Sequence, residues 1–179
     1  MPVIVTLREV LEADLETFYQ QQLDPEAALL ANFPSRDRER FVAHWQQKIL
    51  ATPETFKRTI LADGQVAGNV LCWLENDRWN VGYWLGREFW GRGIGTAAVR
   101  QALALIPHRP LRAEAYHTNP ASLRVLEKAG FDLIGEENGW LVHELKAGPG
   151  RPSSPGHRNS PGPHLRPVYR VTGGVKRQR

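Results

Sequence analysis

Apolar and polar positions along the chain change period several times, and each change marks a different element. Val3 to Leu7 alternates and reads as a first strand. Ala13 to Gln22 repeats as a short amphipathic helix, with Leu15, Phe18, Tyr19 and Gln22 close to one face and acids near its start. Asp24-Pro25 and Phe33-Pro34-Ser35 punctuate a loop with room for a helical turn at Glu26 to Ala31. Ser35 or Asp37 caps the next helix, which runs to about Leu50 on a stripe of Phe41, Trp45, Lys48 and Ile49, and Thr52-Pro53 ends it. From there the period is two. Thr55 to Ala62, Gln65 to Glu75 and Arg78 to Leu85 form an antiparallel meander turned at Asp63-Gly64 and Asn76-Asp77.

The period changes again at Gly91-Arg92-Gly93-Ile94-Gly95-Thr96. Trp79, Val81, Tyr83 and Leu85 share one side of the strand before it. Ile94, Ala98, Ala102 and Leu105 fall on one face of a helix after it, which ends before Pro107. Leu111 to Tyr116 is a strand, so the crossover makes it parallel to the last meander strand. Asn119 caps a further helix with Pro120 at its first position and a stripe of Leu123, Leu126 and Ala129, and Gly130 stops it. Phe131 to Gly135 and Trp140 to Leu145 close the pattern as a hairpin around Glu136 to Gly139. After Lys146 the chain is rich in Pro, Gly, Ser and Arg. Residues 1–146 thus read as one α/β domain and residues 147–179 as a mobile tail in which Leu165 to Val171 has the composition to dock as an extended segment.

Charge changes this picture in one respect. The 179 residues carry a formal net charge of +4, but seven basic residues and no acid lie from Gly148 onward. The preceding part holds sixteen basic against nineteen acidic residues, a net of −3. The domain therefore lacks the basic footprint of a nucleic-acid binder, and only the tail carries one. A single Cys72 excludes an internal disulfide framework. No apolar run reaches membrane-spanning length, and the early charges at Arg8 and Glu9 do not fit a signal peptide. A cytoplasmic protein is the expectation.

Three glycines at a strand-to-helix turn expose backbone N–H groups at the positive end of a helix, an arrangement that suits a phosphate, and Arg87 and Arg92 add charge nearby. Three ligands compete. A nucleotide loop needs Lys before Ser or Thr, which Gly95-Thr96-Ala97 lacks. A dinucleotide fingerprint fits Gly91 and Gly93 but meets Thr96 at its third glycine, although Glu114 lies about twenty residues on. The third ligand is acetyl-CoA. Val81-Gly82-Tyr83-Trp84-Leu85, Trp90-Gly91-Arg92-Gly93-Ile94-Gly95, and Asn119-Pro120-Ala121-Ser122 with Val125-Leu126-Glu127-Lys128-Ala129-Gly130-Phe131 resemble, in order, three blocks of the GNAT acetyltransferase superfamily. The wording is closest to enzymes that acetylate the N-termini of ribosomal proteins. Trp90 departs from the pattern, standing where the family usually has Gln or Arg.

The resemblance implies a mixed, mostly antiparallel central sheet flanked by helices, with a splayed parallel strand pair after the glycine turn. It implies an N-acetyltransferase that moves an acetyl group from acetyl-CoA to a primary amine by direct attack through a tetrahedral intermediate. Tyr83, Trp84 and Leu85 would pair with the pantetheine arm and polarise the thioester carbonyl. Gly91, Arg92, Gly93, Ile94, Gly95 and Thr96 would hold the pyrophosphate, and Asn119 would both cap its helix and bond the pantetheine. Arg124 and Lys128 are within reach of the adenosine phosphates, or form a solvated helix face. Glu114, five residues before Asn119, matches the family's catalytic acid residue and is the base, with Glu75 and His117 as lesser candidates. Many members carry a tyrosine acid seven residues after the Asn. Here that position is Leu126, and Ser122 is the nearest replacement. No metal is implied.

The acceptor is expected between the first two helices and the closing hairpin, near Phe33 and Trp140. It is a protein N-terminus or a small-molecule amine. A homodimer is open, and no membrane is involved. Two other classes stand beside the enzyme: a non-catalytic acyl-CoA-binding or interaction module, and a ribosome or RNA adaptor working through the basic tail.

Overall fold

The computed structural model describes residues 1–148. The expected mobile tail, its docking segment and its basic residues lie outside the described residues, apart from residues 147 and 148. Seven strands, β1 (Val5–Arg8), β2 (Phe56–Ala62), β3 (Gln65–Glu75), β4 (Arg78–Leu85), β5 (Leu111–Tyr116), β6 (Asp132–Glu137) and β7 (Trp140–Leu145), form one sheet in the order β1-β2-β3-β4-β5-β7-β6. Every neighbouring pair is antiparallel except β4 and β5. The helices are α1 (Asp14–Gln22), α2 (Pro25–Leu30), α3 (Arg38–His44), α4 (Ile94–Leu105) and α5 (Pro120–Lys128). The expected mixed sheet with one parallel pair is the observed one.

Local chemistry accounts for most boundaries. Asp24 accepts from the N–H groups of Glu26 and Ala27 at 2.9 and 3.0 Å, and Pro25 opens α2. Asp37 caps α3 through the Arg40 N–H at 2.9 Å. A π-helical turn, Trp45–Leu50, continues α3 and keeps Trp45 and Ile49 buried. The turns Asp63-Gly64, Asn76-Asp77 and Asn138-Gly139 have positive φ at both residues, the twist that closes two-residue hairpins. The closing turn is therefore shorter than the pattern suggests, because Glu136 and Glu137 still pair with Leu141 and Trp140. The first strand likewise sits slightly later than expected, starting at Val5 and including Arg8.

The sheet is covered on both faces. On the first, α4 and α5 bury Ile94, Ala98, Val99, Ala102 and Leu126 against Val70, Val81, Ala113 and Ala115. On the second, α1 and α3 bury Leu15, Phe18, Phe41 and Trp45 against Leu71, Trp73 and Trp84. Arg109, 5% exposed, donates to the carbonyls of Leu103, Ile106 and His108 at 3.1, 3.1 and 2.6 Å and closes the end of α4. Asp14 ties α1 to the sheet, accepting from Arg8 at 2.6 and 2.8 Å, from the Leu11 N–H at 2.9 Å and from Thr59 Oγ1 at 2.7 Å. At Gly68 the strands run so close that a Cβ would stand 1.9 Å from the Trp84 carbonyl oxygen, which keeps the end of β4 tight against β3.

Candidate functional site

The site begins with a pairing that stops. β4 and β5 are in register only at Trp79–Leu111 and Asn80–Arg112; beyond these pairs no further register joins them. The Gly86 N–H donates to the Ala67 carbonyl at 2.9 Å. By antiparallel alternation, residues 80, 82, 84 and 86 turn their backbone groups toward β3, and Val81, Tyr83 and Leu85 turn theirs into the gap. One of those groups is taken, since Trp90 Nε1 donates to the Leu85 carbonyl at 3.1 Å. The residue that departs from the expected loop pattern thus caps the tip of β4.

At that tip Gly91 and Gly93 adopt φ of +69° and +75°, which glycine takes without strain. Gly93 is the N-cap of α4 and supplies no side chain, and the first helical bond is Ala97 N–H to the Gly93 carbonyl at 3.1 Å. The N–H groups of Ile94, Gly95 and Thr96 precede that bond and have no intrahelical acceptor. These three residues line a cavity of about 350 Å³. Tyr83, Trp84 and Leu85 from β4, Gly91, Gly93, Ile94, Gly95 and Thr96 from the turn, and Asn119 and Ser122 from the start of α5 all line it. These ten residues, all singled out in the sequence, line one cavity. Arg124 and Lys128 line it as well, on its cationic side. Ala27 and Leu30 of α2, with Ala31 just after it, form a wall that sequence reasoning did not assign to the site; the Asp24-Pro25 cap was the available signal.

Two arginines behave otherwise. Arg92 does not line the cavity; its guanidinium lies 3.9 Å from Asp63 of the β2–β3 turn. Arg87 pairs with Asp24, at 3.7 Å, and with Glu26. The extra charge expected at the turn is compensated by acids brought from elsewhere in the chain, and what remains there is backbone. On α5, the Ser122 N–H donates to Asn119 Oδ1 at 3.2 Å, and Ser122 Oγ lies 3.2 Å from the Tyr83 hydroxyl. Burial pushes the Tyr83 phenol above its ordinary range, opposed in part by that hydrogen bond.

Glu114 lies on the second face. Leu111, Ala113 and Ala115 are buried with α4, so Arg112, Glu114 and Tyr116 point to the other side of the sheet. There a second cavity of about 350 Å³ is lined by Trp73, Glu75, Asn80, Arg112, Glu114 and Glu137, among others, with Val81 and Ala113 contributing where the strands part. Two of the candidate bases, Glu114 and Glu75, therefore share one cavity. Arg112 also faces Glu144 at 3.9 Å. His117 lines neither cavity; its N–H donates to the Gly139 carbonyl at 3.0 Å. Phe33 and Trp140 also line neither. They pack edge-on against Trp84 at 6.0 Å and tilted against Tyr116 at 5.0 Å.

Burial pushes the Cys72 thiol up to about 12, which leaves it a core residue. Among the described residues no three His, Cys, Asp or Glu side chains are grouped to hold a metal, and no helix is long and apolar enough to cross a membrane.

A family model described as an acetyltransferase (GNAT) domain matches residues 5–132. No curated protein matches in sequence. Solved structures share the fold. A domain from Methanocaldococcus jannaschii superposes with a TM-score of 0.70 at 18% identity, covering 81% of this chain and 99% of that one. RimL, a ribosomal L7/L12 alpha-N-protein acetyltransferase in complex with coenzyme A, superposes with 0.66 at 22% identity, covering 79% and 93%. The aminoglycoside acetyltransferase AAC(6')-Ib, in complex with coenzyme A and kanamycin, superposes with 0.67 at 18% identity, covering 80% and 95%.

Proposed function

The chain belongs to the GNAT acetyltransferase domain family, and from that premise we propose that it is an N-acetyltransferase using acetyl-CoA as donor and a primary amine as acceptor. The donor fits the first cavity on three counts: open N–H groups at the start of α4 for a pyrophosphate, an unpaired strand edge for an amide-bearing arm, and cationic side chains beside them. Coenzyme A-bound neighbours of the same fold agree with this. The donor supplies an activated thioester, and this chain's residues do the rest.

The N–H groups of Ile94, Gly95 and Thr96 bind phosphate oxygens, and Arg124 and Lys128 balance the remaining charge. The gap-facing N–H groups of β4 align the arm and polarise the carbonyl where charge develops. Asn119 anchors the start of α5 and bonds the arm. From the second cavity Glu114 takes a proton from the acceptor's ammonium, directly or through water, and Ser122 on the first side serves the leaving sulfur. Arg92 contributes its backbone and no side-chain contact. The acceptor enters by the second cavity, where Glu75, Glu114 and Glu137 outnumber Arg78 and Arg112; the neighbours act on a protein N-terminus or an aminoglycoside, and both kinds of amine suit it.

The observation that carries this reading is the β4–β5 pairing that ends at Asn80–Arg112, with one cavity lined beyond it by Tyr83, Trp84, Leu85 and the start of α4 and a second lined by Val81, Ala113 and Glu114. The test is thiol release from acetyl-CoA with a panel of peptide N-termini and small amines. Acceptor-dependent release with at least one amine is the expected result. Tight acetyl-CoA binding with no acceptor-dependent release across the panel overturns it in favour of a non-catalytic acyl-CoA-binding module.

A further inference from the structure

The departing thiolate needs a proton or a strong donor, and the residue expected to supply it is missing. Leu126 is 1% exposed and packs in the core of the first face, so that position offers neither a hydroxyl nor access. Among the described residues lining the first cavity, hydroxyls are carried by Tyr83, Thr96 and Ser122. Thr96 belongs to the phosphate turn. Tyr83 and Ser122 stand together at 3.2 Å, and Ser122, 8% exposed, is held in place by its bond to Asn119.

Building on the acetyl-transfer reading, we propose that the Tyr83 phenol is the acid of this reaction, working with Ser122 as a two-hydroxyl donor to the leaving sulfur. Two hydroxyls carry two protons, and the bond between them uses one. Whichever oxygen donates, one proton remains to be offered into the cavity. Relative acidity decides where the charge ends. An ordinary phenol has a pKa of about 10 and a thiol about 8.5, whereas an aliphatic hydroxyl is a far weaker acid.

When the C–S bond breaks, its electron pair stays on sulfur and the outward proton moves to it. If that proton leaves Ser122, the phenolic proton shifts to Ser122 Oγ in the same step. Both orientations leave the charge on Tyr83. The proton lost by the attacking nitrogen, taken by Glu114 or water, restores the phenol through solvent. The sum is amine plus thioester giving amide plus thiol. The upward push that burial exerts on Tyr83 keeps the phenol protonated, as a donor must be.

The test is Tyr83→Phe in the full-length chain, which keeps the ring and removes the hydroxyl. With acetyl-CoA, kcat falls about 100-fold while the KM for acetyl-CoA stays within about threefold, and Ser122→Ala loses about tenfold. A second donor separates chemistry from structure. The acetyl thioester of a nitrothiophenol releases a thiolate that needs no proton, so the ratio of wild type to Tyr83→Phe returns to near one. An equal loss with both donors, or undiminished turnover of Tyr83→Phe, overturns the proposal. So does an inactive Ser122→Ala beside an intact Tyr83→Phe. If Phe unfolds the chain, trifluorotyrosine at position 83 keeps the packing and moves the alkaline fall of kcat to lower pH; an unmoved profile overturns the proposal. Absence of acetyl transfer by the wild type is a separate result, which removes the parent reading instead.

Discussion

Replacing Gly93 with alanine separates anion binding from stability at the glycine turn. At φ +75° an alanine meets the left-handed penalty of roughly 1 kcal/mol. Its Cβ meets no protein atom within 4 Å, so packing adds nothing to that cost. Gly130 is a matched control at φ +92°, with only Leu145 Cδ1 at 3.7 Å from a Cβ, and it lines neither cavity. Both variants should lose about 1 kcal/mol and about 2–4 °C in Tm. They should differ in coenzyme A affinity. The added methyl at position 93 stands in the open space beside the N–H groups of Ile94, Gly95 and Thr96. Losing even one charge-assisted hydrogen bond there costs about 1.5–3 kcal/mol, or roughly 10- to 100-fold in Kd. Calorimetric titration with coenzyme A reads this directly. If Gly93→Ala and Gly130→Ala bind coenzyme A alike, the turn does not hold the pyrophosphate and the donor assignment fails with it.

Glu114→Gln should lower kcat by about 100-fold in thiol release while leaving coenzyme A affinity within twofold, because Glu114 lines the second cavity and not the one proposed for the donor. Undiminished turnover across pH would remove it from the mechanism. Asp14→Asn should cost about 2 kcal/mol at pH 7 in urea unfolding. Burial alone would raise the Asp14 carboxyl, but its bonds from Arg8, Thr59 and the Leu11 N–H outweigh that and hold it below the usual carboxylate range. The stabilisation is therefore complete above a pH of about 4 and fades as pH falls through the lower folded-state value, so the gap between variant and wild type should close in acid. A gap that stays constant to pH 2 would contradict the network. Arg109→Ala should lower stability by about 2–3 kcal/mol without changing coenzyme A affinity, since it strands carbonyls at the end of α4 remote from the turn; an unchanged denaturant midpoint would refute the capping role.

What could be read along the chain was what neighbours in sequence decide. The turns at Asp63-Gly64 and Asn76-Asp77, the Asn119 cap and the glycine turn all announce themselves, because their φ values or bonds involve residues a few places apart. The fate of Arg87 and Arg92 could not be read, because their partners Asp24, Glu26 and Asp63 arrive from about thirty residues away or more. The bond from Trp90 to the Leu85 carbonyl was illegible for a related reason: its acceptor becomes available only where β5 leaves β4. The Tyr83–Ser122 contact spans 39 residues, so the sequence offered Ser122 as the acid and Tyr83 only as a strand residue beside the pantetheine arm.

The face on which Glu114 stands was legible in principle and matters most for the chemistry. In Leu111 to Tyr116 the apolar residues alternate with Arg112, Glu114 and Tyr116, so the strand turns its glutamate away from α4 as surely as it buries Ala113 and Ala115. On β4 the same alternation sends the Tyr83 side chain to the first face while its backbone groups enter the gap. Tyr83 and Glu114 thus turn their side chains to opposite faces of one sheet, in the stretch where two parallel strands no longer pair. Had β5 continued in register past Arg112, it would have satisfied the β4 edge that now stands open. On the acetyl-transfer reading, that missing ladder leaves the β4 edge open to the donor's arm, and the glycine turn beyond it is where we propose the pyrophosphate is held.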